Sequence, residues 1–558
     1  MPQALTCQQC STSFVLRDED VAFYATVAGK LGALPLPTRC PQCRLVRRLA
    51  SRNESALYLR KSSLTGKDII SIYSPVAPYP VAELEALNQP GFDISNFAIA
   101  CDPSQSFFAQ FDRLAKQVPH QALFNIGGDE TVQYNNMTSE TKNSYLCIWG
   151  DFCEDSLYNY GYVNLKRCVD NFWLFDGELS YRCVNSQFCY RSQYVLNSQN
   201  ISDSAFIMDC KQLDHCLFCV NLRHKQYCIF NKQYTKEEYF AYKQKLQMGS
   251  HAAWQQMEQD FEQFAKQFPK PALRNTQVEN CPYGDVNSNA KDCFGSFHMV
   301  ESEQCCYAID NMKGYNAYDC YGCVNIQHCN DCHCVLNCQS CLYCFDIYDS
   351  SNLTYCQSCR SCQDCFGCIG LRHKQYNIFN KQYTKEEYEL LVPQLIATMK
   401  ERKEWGEFFP AADSPFGYNE STAFEYFPLT KEQALAQGYR WSDYVAPKPE
   451  VKQFILAADL PDTIAETSDD IINNAVICPV SQKPFRITKQ EVAFYREHNL
   501  PLPRLHPDER RRALIRLKNP RSVRMTTCSK CQKETETSYQ PEADLIIYCE
   551  ECYRTEVV

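Results

Sequence analysis

Towards the two ends of the chain, eight cysteines form four C-x-x-C pairs, two near each end. Cys7 and Cys10 precede Cys40 and Cys43 across 29 residues, and Cys528 and Cys531 precede Cys549 and Cys552 across 17. A C-x-x-C knuckle brings two thiolates to one point, and two knuckles complete the tetrahedral set of a closed structural zinc site. Segments this short have little core, so the metal would contribute folding energy directly. Dithiol redox chemistry, the other use of C-x-x-C, calls for a βαβ setting that surrounds neither pair. The spacing therefore predicts two Zn2+ per chain.

A third stretch copies the first incompletely. Cys478-Pro-Val-Ser481, Phe485 and Val492 to Tyr495 match Cys7 to Cys10, Phe14 and Val21 to Tyr24 at an offset of 471. Leu500 to Pro503 then matches Leu34 to Pro37 after a five-residue shortening. The ligand positions hold Cys478, Ser481, His506 and Glu509, and serine is a poor zinc ligand, so a metal-free relative of the first module is predicted. Another ligand set is open to two readings. Cys210, Cys216, Cys219 and His224, with their counterparts Cys359, Cys365, Cys368 and His373, could hold a soft metal or could be buried filling. No nucleophile triad, phosphate-binding glycine loop or HExxH motif is present, and no catalytic or cofactor-binding residue is assigned.

The elements that must position these groups are organised by a duplication. Leu222 to Tyr239 and Leu371 to Tyr388 agree at 17 of 18 positions, at an offset of 149 that also pairs Tyr158 with Tyr307 and Cys210 with Cys359. Residues 134–246 and 283–395 are thus two copies of one unit. In the first copy Cys147, Cys153, Cys168, Cys183, Cys189, Cys210, Cys216, Cys219 and Cys228 all fall at multiples of three, and from Cys281 to Cys368 15 of 17 cysteines share one phase, Cys306 and Cys334 being the exceptions. Neither a helix nor a lone strand has that period; stacked coils do. Cys320, Cys338 and Cys356 recur every 18 residues, which points to coils near that length without fixing it. The fold predicted is mainly β with helical connectors: a duplicated Cys-rich β-solenoid, or parallel β-helix, flanked by small zinc-binding modules. Across the offset, Cys147 and Cys153 face Ser296 and Ser302, while Cys323, Cys344, Cys356 and Cys362 face Leu174, Val195, Ile207 and Leu213. A ligand does not exchange with leucine, so most of these cysteines read as interior packing.

The predicted organisation is an N-terminal zinc-ribbon or treble-clef module (1–54), a hairpin and helix leading into the solenoid (55–133), copy 1 (134–246), a helical connector (247–282), copy 2 with its helix (283–407), a linker (408–470), the metal-free module (471–525) and a C-terminal zinc ribbon (526–558). Thr235-Lys-Glu-Glu238 and Thr384-Lys-Glu-Glu387 are capping boxes that start helices. Phe107, Phe108, Phe111 and Leu114 give an amphipathic helix expected to pack on the start of the solenoid. The aromatics of the linker, among them Phe408, Phe409, Phe424, Tyr426 and Phe427, are expected to dock on the solenoid.

Length bounds the chain to two to four domains. The N-terminus lacks a leader pattern and no apolar run reaches membrane length, so a reducing cytoplasm is expected. A formal charge of −10 excludes a wholly basic surface.

The first 54 residues resemble the zinc-ribbon, treble-clef-like domain that opens many uncharacterised bacterial proteins, on Cys7, Cys10, Phe23, Tyr24, Cys40, Pro41, Cys43 and Arg44. The ending TTCSKCQKETETSYQPEADLIIYCEECYRTEV resembles small zinc ribbons near the ends of such proteins. These resemblances imply zinc binding and little else. Basic helices follow two modules, with Arg44, Arg47 and Arg48 in one and Arg510, Arg511 and Arg512 in the other. They could grip the phosphates of a nucleic acid or pair with the chain's own acids. The function predicted is a zinc-binding scaffold with a protein or nucleic-acid partner and no membrane partner. The alternatives are a β-helix enzyme acting on a carbohydrate or other polymer, and a metal or redox buffer.

Overall fold

A computed structural model describes residues 3–557 apart from 129, 133, 311–317, 319–329 and 332. Strands Asn136–Lys142, Ile148–Glu154, Tyr160–Lys166, Phe172–Glu178 and Val184–Tyr190 lie side by side in parallel. Each residue faces one twelve further on: Tyr160 faces Phe172, which faces Val184. Shorter strands continue the register to Ile229, where Leu217 faces it, and the whole forms a 13-stranded sheet. The chain is mixed α/β, with this large sheet and a small cysteine module at each end.

The beat of three has a backbone cause. Leu146, Trp149, Phe152, Asp155 and Tyr158 are all left-handed, as is nearly every third residue after them. The residue after each turns inward: Cys147, Cys153, Ser156 and Cys168 are buried. The pairing register is thus twelve residues, with a left-handed position every three. Left-handed backbone disfavours ordinary side chains, so each corner must be held by its neighbours above and below. Interior side chains also serve the carbonyl two residues back. Ser156 Oγ donates to the Glu154 oxygen (2.8 Å), and Cys168 Sγ lies 3.4 Å from that of Lys166. Ser296 and Ser302, which stand where copy 1 has Cys147 and Cys153, donate the same bond at 3.1 and 3.0 Å. Small donors and small apolar groups therefore exchange at these positions.

The second copy keeps the register of twelve, as in Asn330 facing Leu342 and Leu342 facing Thr354. The 18-residue recurrence is consequently not a rung. Cys338 and Cys356, or Cys341 and Cys359, are eighteen residues apart and so are not register partners. Any multiple of three recurs in such a pattern, and only backbone pairing identifies the rung. Cys320, Cys323 and Cys332 lie outside the described residues.

The longer helices are α1 (Asp18–Thr26), α2 (Pro41–Ala50), α3 (Phe107–Ala115), α4 (Lys236–Lys245), α5 (His251–Lys266), α6 (Lys385–Glu401), α7 (Lys489–Glu497), α8 (Pro507–Arg516) and α9 (Glu550–Val557). Thr235 and Thr384 accept from the amides of Glu238 and Glu387, which starts α4 and α6 at the expected boxes. Helix α5 packs Trp254 and Phe261 on Phe206 of copy 1. Helix α3 does not pack on copy 1 as expected: Phe107 meets Tyr355, Phe366 and Phe379 of copy 2. An amphipathic face specifies apolar contact, and which of two similar stacks it meets is decided by the path of the chain. In the segment read as a linker, Phe408 and Phe409 are buried against Phe345 of copy 2. Phe424, Tyr426 and Phe427 join a cluster that holds Phe297 and Ile309 of copy 2 together with Leu45 and Leu49 of α2. Among the described residues no helix is long and apolar enough to cross a membrane.

Candidate metal centres and the docking of their modules

The N-terminal site is built from a hairpin and a helix head. Strands Gln3–Thr6 and Ser13–Leu16 pair antiparallel around the first knuckle. The Cys7 amide donates to Thr12 (3.0 Å), the Ser11 amide donates to Cys7 (2.9 Å), and Ser11 is left-handed at φ 59°. Cys40 is the N-cap of α2, with Pro41 behind it and Cys43 in the first turn. The four sulfurs lie within 4.8 Å of one another, and Cys10 and Cys40 are 3.8 Å apart. Zinc with four sulfurs at about 2.3 Å requires S···S separations of about 3.8 Å.

The C-terminal site repeats this at an offset of 521 (Cys7 to Cys528). Strands Arg524–Thr527 and Glu534–Thr537 flank the knuckle, Cys528 donates to Lys533 (2.9 Å), and Gln532 is left-handed at φ 62°. Cys549 and Cys552 sit at the head of α9, the four sulfurs again lie within 4.8 Å, and Cys531 and Cys549 are 3.7 Å apart. The ribbon expected here is corrected: its second knuckle opens a helix. Burial raises the thiols of Cys7 and Cys528, but backbone amides aimed at each sulfur outweigh it and bring both to about 6. Such thiols are thiolate-ready ligands.

The module at 471–525 keeps the knuckle backbone without the ligands. Cys478 donates to Lys483 (3.0 Å), and Gln482 is left-handed at φ 57°. His506 is engaged as N-cap of α8, accepting from the Asp508 amide at 3.2 Å, and Glu509 pairs with Arg512. The second open ligand set is not brought together either. Cys210, Cys216, Cys219, Cys359, Cys365 and Cys368 face the interior, whereas His224 and His373 are exposed at corners. The register does gather one group that sequence spacing hides, Asp203, Asp214 and His215. Its carboxylates are already engaged by Arg191 (3.5 Å) and Gln226 (3.1 Å).

The basic helices turn inward. Arg48 is 1 % exposed and Arg510 8 %. Arg47 and Arg48 share Asp331 of copy 2, and Arg47 also reaches Glu407 (3.3 Å). Arg44 donates to the Arg39 carbonyl at 2.6 Å. Arg510 bonds Asp170 of copy 1 (2.8 Å) and Glu491 of α7 (3.0 Å), Arg511 bonds Glu425 (2.8 Å), and Arg512 bonds Glu509.

Two of these contacts are one contact made twice. The Arg510 guanidinium lies 4.1 Å from the centre of the Tyr158 ring, whose hydroxyl donates to Glu491 (2.9 Å). Arg44 lies 5.6 Å from the Tyr307 ring, whose hydroxyl donates to Asp20 (3.2 Å). Tyr307 is Tyr158 plus 149, Glu491 is Asp20 plus 471, and Arg510 is Arg44 plus 466, the offset after the shortening. The first module thus docks on copy 2 and the third on copy 1, so the two connections cross. The sequence displays both offsets but cannot show that they meet.

Residues 3–52 match a family model described as a probable treble clef domain, and residues 521–557 one described as a probable treble clef zinc finger. The two complete modules are treble-clef zinc fingers, and their tetra-cysteine sites fit two Zn2+. No curated protein and no solved structure matches the chain.

Proposed function

We propose that the chain is a zinc-stabilised scaffold whose two repeat units are β-solenoids of closed, four-sided coils, and whose outer faces meet a protein partner. The register of twelve with a corner every three supports the solenoid reading. The single observation that carries the scaffold reading is the crossed docking: modules from opposite ends of the chain lock onto the two stacks through buried ion pairs. That contact spends the arginines on internal acids, which favours a protein partner over a nucleic acid. On this reading zinc holds the outer modules in shape, and the third, without its ligands, relies on packing and on Arg510.

The test is cross-linking of affinity-captured full chain with lysine-reactive reagent, read by mass spectrometry. Cross-links to one recurring protein are expected at the exposed rung lysines Lys142, Lys166, Lys211 and Lys225. Cross-links confined to Lys30, Lys530 and Lys533 on the modules, or RNA or DNA retained with the protein at physiological salt, would contradict the reading.

A further inference from the structure

The two copies differ most tellingly at one place on their outer wall. In copy 1, Asp209 bonds Arg274 (2.9 Å) and lies 3.6 Å from Lys270, and Asn221 accepts from Tyr553 of the C-terminal zinc module (2.8 Å). Arg223 beside them donates to the carbonyls of Asp209 (2.5 Å) and Leu222 (3.0 Å). Adding 149 gives Ser358, Gly370 and Arg372. Copy 2 has therefore kept the arginine while losing the carboxylate and the amide side chain.

What remains is a cavity of about 350 Å³ lined by Ser358, Gly370, Arg372 and Lys374 on one side and Leu87, Phe92 and Ile94 on the other. That volume is in the range of small-molecule sites. The other cavities described here hold about 10 to 30 Å³. Gly370 is left-handed at φ 70°, and a Cβ there would stand 2.5 Å from Ile94 Cδ1, so any side chain would have to displace Ile94 where the wall meets the covering segment.

The charge in this cavity is unbalanced. Lys374 is answered by Asp93 at 3.4 Å. Arg360 faces Arg372 from the rung below and lies over the Tyr348 ring at 4.7 Å. Arg372 has no hydrogen-bond or ion-pair partner among the described residues, and like charges opposed on neighbouring strands repel. Half-burial and the charge of Arg360 both lower its affinity for its proton.

We propose that this cavity binds a small organic anion, its phosphate or carboxylate head on Arg372 and Ser358 and its apolar body against Leu87, Phe92 and Ile94. The guanidinium fork suits either head bidentately, and the anion answers an arginine whose counterpart in copy 1, Arg223, is held by backbone carbonyls. The experiment is isothermal titration of the zinc-loaded full chain with phenyl phosphate and, separately, with phenylacetate; the tighter of the two assigns the head group. Expected are one equivalent bound by wild type and a loss of about tenfold or more in both R372Q and S358D, the size of a charged hydrogen bond, with zinc content unchanged. S358D puts a competing carboxylate where the anion's head would sit and so tests the site without removing the arginine. Absence of binding by both probes at millimolar concentration, or affinity unchanged in the two variants, would overturn the proposal.

Discussion

Replacing Arg510 with methionine removes the cation that bonds Asp170, Glu491 and the hydroxyl of Tyr495 at 2.8, 3.0 and 3.1 Å. All three partners are buried. Removing one member of a buried ion pair strands the others and costs about 3–5 kcal/mol. The loss should also depend on pH. Burial pushes the Asp170 carboxyl up to about 6 even with Arg510 pulling it down, and Glu491 pushes it the same way. Its folded value lies above the roughly 3.9 of an unfolded aspartate. The folded state therefore binds more protons than the unfolded state between about 4 and 6, and stability falls as pH rises through that window. Without Arg510 that value rises further, so the deficit of R510M should be largest near pH 8 and shrink towards pH 5.5. Urea unfolding followed by tryptophan fluorescence measures it, Trp254 lying against the same surface through Tyr181. A deficit below about 1 kcal/mol at pH 8, or one that does not change with pH, would refute the anchoring role given to Arg510.

If the two dockings are one contact, Y158F and Y307F should each lose about 1.5–3 kcal/mol, the worth of a hydrogen bond to a charged acceptor, whereas an effect of only one variant in thermal unfolding would break the equivalence. C362V should cost at most about 1–3 kcal/mol and leave zinc content unchanged, because Leu213 fills the matching place in copy 1; the companion position Cys323 lies outside the described residues. D331N, which deprives Arg47 and Arg48 of a shared carboxylate, should loosen the first module from copy 2, seen as faster proteolysis after α2. Wild type applied to single- and double-stranded nucleic acid at low salt should pass unretained, since its helix arginines are engaged internally; retention that weakens as salt rises would contradict this.

Much of this was legible in the sequence because it is local. Knuckle spacing, capping boxes and the phase of the cysteines each depend on a few neighbouring residues. The rung length was not legible, because interior positions recur every three residues and Cys, Ser, Asn, Leu and Val all occupy them. The inward turn of Arg44, Arg47, Arg48 and Arg510 was hidden for another reason: arginine is seldom buried, and its partners Asp331 and Asp170 lie hundreds of residues away. The copied knuckle at Cys478 was visible, yet only the structure shows that its backbone persists without a second cysteine. The cavity beside Arg372 could have been suspected from Ser358 and Gly370 against Asp209 and Asn221. Nothing in the sequence placed those positions beside Phe92 and Ile94.

The most direct measurement is a native mass spectrum of the reduced full chain. Two zinc ions are expected, with one lost in C43S, one lost in C549S and both lost in the double variant. Four or more zinc ions in wild type, or zinc retained by the double variant, would mean that interior or third-module cysteines bind metal and that the stacked cysteines are not packing.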